Sequence, residues 1–168
     1  MALTFLRHTT PDVAKGICYG RTDLGLAATF EDELGRVVEA LPEVNTIVSS
    51  PLYRCRTLAE RVGAFCGVSV SVLDGLTEMD FGAWEMTPWA DIPRDQLDLW
   101  ADDFMGARPH GGESVQMLQD RVAGALGDLS SDTLVVTHSG VIRAAAAISD
   151  HPEGWEIDVK FGGYVKMG

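Results

Sequence analysis

LTFLRHTT, Leu3 to Thr10, is the stretch whose reading decides the fold. A short apolar run that halts at Arg7-His8 and breaks at Pro11 reads as a buried strand whose carboxyl end delivers a cation and an imidazole. In an open α/β sheet that edge is where ligands bind. An isolated Arg-His pair would more simply be a strand end in which Arg7 pairs with a nearby acid. The rest of the chain has to decide between the two.

The same pattern returns twice. TLVVTH (Thr133 to His138) is a strongly apolar strand followed by a Ser139-Gly140 turn and the apolar helix VIRAAAAI. NTIVSS (Asn45 to Ser50) is a β-branched run after which PLYRCR opens a helix, with Leu58, Val62 and Phe65 expected toward the core. A third short strand is expected at Val68 to Leu73. Between these elements Thr29 is placed to cap a helix reaching about Leu41, with Glu31 and Asp32 in its first turn and Leu34, Val37, Val38 and Leu41 on one face. A further helix runs from Glu113 or Ser114 to Leu126, and the tail from Glu156 to Val165 supplies a last, edge strand. Alternating strands and helices at crossover spacing predict a three-layer α/β/α sandwich with a mainly parallel central sheet and its active site at the carboxyl edge of the strands.

Residues 1–168 read as one domain. Within it, 77–112 reads as an insertion or lid over the site, because its aromatics, acids and prolines follow no clean period. Trp84, Trp89 and Trp100 there suggest a substrate wall, against the plainer alternative of a packed subdomain. Pro11 to Ala28 is a Gly- and Thr-containing loop, long enough inside a compact domain to suggest a functional role.

Composition narrows the function classes. The chain has 168 residues, 46% hydrophobic and 23% charged, with a net charge of −12. That balance opposes broad nucleic-acid or anionic-membrane binding, which needs Lys and Arg over a wide face, but leaves room for a small anionic ligand met by local arginines. The N-terminal stretch lacks the pattern of a signal peptide and no run suits a membrane span, so a cytoplasmic location is expected. Cys18, Cys55 and Cys66 make neither a disulfide framework nor a metal motif and read as free thiols.

The polar residues that follow the strands are Arg7 and His8, Arg54 and Arg56, Glu78, and His138. Guanidinium and imidazole groups gathered with one carboxylate repel one another unless an anion joins them, and Arg binds phosphoryl oxygens bidentately. Helix N-termini behind Ser50 and Ser139 would add backbone N–H donors. The chemistry suited to such a cluster is phosphoryl transfer. A metal reading of His8, His138 and Cys18 is weaker, since arginines stand where a cation would want carboxylates.

LRHT (Leu6 to Thr9), SSPLYRCRTLAE (Ser49 to Glu60), LTEMDFGAWE (Leu76 to Glu85), GGES (Gly111 to Ser114) and VVTHSGVIRA (Val135 to Ala144) together resemble, in order, the histidine phosphatase superfamily of phosphoglycerate-mutase-like proteins. The resemblance implies that His8 is the nucleophile that becomes phosphorylated, and that Arg7, Arg54 and His138 hold the phosphoryl group with it. Glu78 then matches the acid that protonates the leaving oxygen and afterwards activates water. No metal or cofactor is implied, and the partner is a small phosphorylated metabolite. RHTTPDVAKGICYGRTDLGL and FGAWE resemble the α-ribazole phosphatase subgroup, which acts on a 5′-phosphate in assembly of the cobalamin nucleotide loop. The alternatives are a phosphoglycerate mutase and a non-catalytic phospho-ligand-binding module.

Two positions depart from the family pattern or leave it ambiguous. Thr9 stands where Gly is usual, and its hydroxyl would contact phosphate or narrow the pocket; Ser139 is a second candidate substrate contact. Glu85 competes with Glu78 for the acid, but reads more simply as a solvated loop charge, as Arg56 reads as a helix-surface residue. The oligomeric state is left open.

Overall fold

In a computed structural model, described for residues 2–168, the chain runs β1 (Leu3–Arg7), α1 (Phe30–Ala40), β2 (Thr46–Ser49), α2 (Tyr53–Cys66), β3 (Val70–Val72), α3 (Arg94–Asp102), α4 (Val115–Leu126), β4 (Thr133–Thr137), α5 (Ser139–Ile148) and β5 (Tyr164–Met167). The sheet order is β3-β2-β4-β1-β5. All neighbours are parallel except β5, which lies antiparallel on β1. This is the α/β sandwich expected from the repeated strand-to-helix pattern.

Strand alternation explains the layers. Phe5, Val48 and Val135 are in register and face a core shared with Leu118 and Val122 of α4 and Val141, Ile142 and Ala145 of α5. Leu6, Ile47, Leu134 and Val136 face the other way, onto Leu34 and Val37 of α1 and Leu58 and Val62 of α2. Every residue of β4 is buried, as expected for a central parallel strand covered on both sides. Because the parallel strands point the same way, the residues just past their ends converge on one rim. Among the described residues no helix is long and apolar enough to cross a membrane.

Three expectations change. Phe65 is 72% exposed: the buried stripe of α2 follows Cys55, Ala59, Val62 and Gly63, which leaves Phe65 on its flank in the last turn. Thr29 occupies the N-cap of α1 but its hydroxyl accepts nothing from the helix; it donates to Glu33 Oε2 at 2.7 Å. The final strand is Tyr164–Met167 rather than Glu156 to Val165, because residues 154–163 form a 3₁₀ turn and a strap of loop that fastens β1. Ser114, by contrast, caps α4 as its position suggested, accepting from Met117 N at 3.1 Å.

The segment 77–112 carries two 3₁₀ turns, Gly82–Trp84 and Trp89–Asp91, and then α3. Trp84 is buried with Cys18 and Ile92 in a small core of its own. Trp89 and Trp100 pack against that core and also line a cavity.

Candidate active site

β1 carries His8 to the rim, where its N–H still pairs with Thr137 O at 3.1 Å. The side chain is 2% exposed. Its Nδ1–H donates to Thr9 O at 2.7 Å and its Nε2 accepts from Arg54 Nε at 3.4 Å. Those two contacts assign the tautomer: the proton is on Nδ1 and the lone pair is on Nε2. Burial, and after it the Arg54 guanidinium, lowers the His8 pKa from 6.5 to about 3. The imidazole is therefore neutral through the physiological range.

His138, at the N-cap of α5, meets His8 edge to face with ring centroids 5.2 Å apart. Its Nε2 shares a 2.8 Å hydrogen bond with Ser50 Oγ, and Cys55 Sγ lies 3.4 Å from the same nitrogen. Burial first, then the His8 ring and the Arg54, Arg7 and Arg121 guanidiniums, holds its pKa well below the usual range.

The arginines are fixed by carbonyls rather than carboxylates. Arg54 is fully buried, with Nη1 donating to Thr22 O and Nη2 to Gly20 O, both at 2.7 Å. Arg7 donates from Nη1 to Val159 O at 2.8 Å, and its guanidinium carbon lies 4.0 Å from the centre of the Phe161 ring. A buried cation held only by neutral acceptors is an anion site in charge terms.

Glu78 completes the group. Its Oε1 accepts from Met79 N at 2.9 Å and its Oε2 from Gly140 N at 3.0 Å, so the first turn of α5 orients it. Burial raises its pKa, against the backbone N–H groups and the arginines, which lower it. A neighbouring cavity of about 250 Å³ is lined by Arg7, His8, Glu78, Ser139 and Gly140 on the polar side. Arg54 and His138 adjoin His8 at the edge of this cavity, at 3.4 Å and with ring centroids 5.2 Å apart respectively.

Other expected residues take different places. Thr9 is fully buried, its hydroxyl has no hydrogen-bond partner, and it does not line the cavity. What Thr9 contributes to the site as it stands is its carbonyl, which accepts from His8 Nδ1. Ser139 does line the cavity. Glu85 is not a solvated charge: it accepts from Gly20 N (2.8 Å), Arg21 N (2.7 Å) and Thr22 Oγ1 (3.1 Å). It thereby pins the loop whose carbonyls hold Arg54. Arg56 sits on the surface of α2, 3.7 Å from Glu60.

Sequence reasoning missed the Ser50 hydroxyl, Phe161, and Tyr19, whose ring centre lies 5.3 Å from the Arg54 guanidinium carbon. Ser50 followed a predicted strand, which was a usable signal. Phe161 had none, since only closure of β5 on β1 brings it to Arg7. Among the described residues no three His, Cys, Asp or Glu side chains gather as a metal site would require.

Neutral imidazoles and buried guanidiniums thus gather at the carboxyl rim of a doubly covered parallel sheet in an α/β protein. The chain belongs to the histidine phosphatase superfamily (branch 1), whose family model matches residues 3–159. It is 31% identical over 158 residues to the adenosylcobalamin/alpha-ribazole phosphatase of Escherichia coli, covering 88% of this chain and 78% of that one. Among solved structures, phosphoglycerate mutase from Thermus thermophilus superposes with a TM-score of 0.80 at 32% identity, over 99% of this chain and 92% of that one. A mycobacterial glucosyl-3-phosphoglycerate phosphatase gives a TM-score of 0.84 at 25% identity, over 98% and 88%.

Proposed function

We propose that this chain is a metal-independent phosphomonoesterase that works through a phosphohistidine, with His8 as nucleophile. The observation that carries the proposal is the tautomer of His8: Nδ1–H is tied to Thr9 O, which leaves the Nε2 lone pair for phosphorus. A nitrogen that stays unprotonated down to about pH 3 needs no base to activate it.

In the first step Nε2 attacks phosphorus and the P–O ester bond breaks. Arg54 Nε, released from Nε2 by the new N–P bond, donates to a phosphoryl oxygen together with Arg7 and His138, offsetting charge as it spreads over the equatorial oxygens. Glu78, whose raised pKa keeps a proton available, passes it to the leaving alkoxide. In the second step the Glu78 carboxylate takes a proton from water, the water oxygen attacks phosphorus, the N–P bond breaks, and phosphate leaves with His8 neutral again.

The substrate is a small phosphorylated metabolite. α-Ribazole 5′-phosphate is the first to try, because the similar Escherichia coli protein is named for that activity. Phosphate release from an aryl phosphate in EDTA should match that without chelator, and His8→Ala should lose at least about 10⁴-fold in kcat. Activity abolished by EDTA, or kept in His8→Ala, overturns the mechanism.

A further inference from the structure

Beyond the phosphoryl end the cavity changes character. Phe81, Trp89, Trp100, Phe104 and Trp155 line it there, with Ile17, Val115 and Leu118, while Tyr19 stays beside the arginines, its ring centre 5.3 Å from the Arg54 guanidinium carbon. The rings brace one another: Phe81 meets Trp89 at 85° and Trp100 at 83°, with centroids 5.9 and 6.1 Å apart. Phe104 meets Trp155 at 81° and 5.6 Å. Edge-to-face packing of this kind fixes ring orientations, so the wall is preformed rather than adaptable.

Charge is as informative as shape. Among the described residues, the one cation besides Arg7 that lines the cavity is Arg143. Its Nε already donates to Ile157 O at 3.1 Å, and its Nη2 lies 3.9 Å from Asp158. That guanidinium is 42% exposed and shared with Asp158, so it offers a carboxylate or second phosphate on the leaving alcohol only a solvent-screened partner, while the rings offer none, in a chain of net charge −12.

We propose that the leaving alcohol is a flat, uncharged aromatic one whose ring seats among Phe81, Trp89, Trp100 and Trp155, and that carboxylate-bearing phosphoesters are disfavoured. This rests on the reading above that the phosphate lies at His8. It goes further in choosing, from the wall alone, between the differing alcohols named for the similar proteins.

The test uses four primary alkyl phosphates, so that the acid has the same task in each: 2-naphthylmethyl, benzyl and ethyl phosphate, and 3-phosphoglycerate. The expected order of kcat/KM puts naphthylmethyl first, at least tenfold above ethyl phosphate and 3-phosphoglycerate, and Trp100→Leu or Phe104→Leu reduces that ratio. A parallel measurement compares the Kd of 2-naphthylmethylphosphonate with that of ethylphosphonate on the wild-type protein. Selective binding of the aromatic phosphonate without turnover of any ester upholds the aromatic site and removes the hydrolase reading. Equal Kd values, or His8-dependent turnover of 3-phosphoglycerate as fast as that of the naphthyl ester, overturn the aromatic site.

Discussion

Glu78 owes its orientation to a residue with no side chain. A Cβ on Gly140 would collide with Glu78 Oε1 and stand 3.0 Å from its carboxyl carbon, so only glycine lets the carboxyl group rest on the first turn of α5. Gly140→Ala is expected to fold normally and yet lose about 10²-fold in kcat on an alkyl phosphate, since a displaced acid loses its alignment. Loss on a nitrophenyl phosphate, whose leaving group needs little protonation, should be much smaller; equal losses on both would show that Gly140 acts through something other than Glu78. Phe161 plays the matching part for Arg7, covering the guanidinium face at 4.0 Å. Phe161→Ala should remove roughly 1 kcal/mol of that support, seen as about a fivefold higher inhibition constant for inorganic phosphate. Neither role could be read from the chain, because each depends on a contact between segments far apart in sequence.

At the scale of elements, the legible part of the protein was the unit repeated three times, strand, polar end, helix start. It shows in sequence because each copy is local: Leu3 to His8, Asn45 to Arg54, and Thr133 to the start of α5 each hold their own apolar run and breaker. What stayed hidden was the fastening between units. The 3₁₀ turn Asp74–Leu76 and α4 are clamped by Arg121, which donates to both oxygens of Glu113 at 2.9 and 2.8 Å and to Gly75 O and Thr77 O at 2.8 and 2.7 Å. The Thr77 carbonyl immediately precedes Glu78, so this clamp sets the height of the acid over the cavity. Arg121→Met should cost about 3 kcal/mol, because Glu113 is left buried without its partner. Measured as a fall in the urea midpoint, that loss should be partly recovered in the double variant Arg121→Met with Glu113→Leu. No recovery would mean that the carbonyl contacts, not the ion pair, hold the turn.

For the whole molecule, the site imposes a pH dependence on stability that the net charge alone would not suggest. His8 and His138 are buried neutral, with pKa values of about 3 and well below 6.5 respectively. Above pH 6.5 neither form of the chain binds these protons, and the two groups add no slope. Below 6.5 the unfolded chain takes them up while the folded one does not, so each group lowers stability by about 1.4 kcal/mol per pH unit, for His8 until about pH 3. Glu78 works in the opposite sense: its raised pKa means that above 4.5 the folded chain keeps a proton the unfolded chain has lost, and stability declines as pH rises through that window. Between about pH 5 and 6.5 the histidines outnumber this carboxyl, and the free energy of unfolding should rise with pH. His8→Asn removes one of the two imidazoles without adding a charge, so its stability relative to wild type should rise as pH falls from about 6.5 to 5, with a slope difference of about 1.4 kcal/mol per unit. Urea titrations of both proteins at several pH values across that interval measure it. Parallel lines would mean that His8 is protonated in the folded chain near pH 6, and a protonated imidazole there could not be the nucleophile.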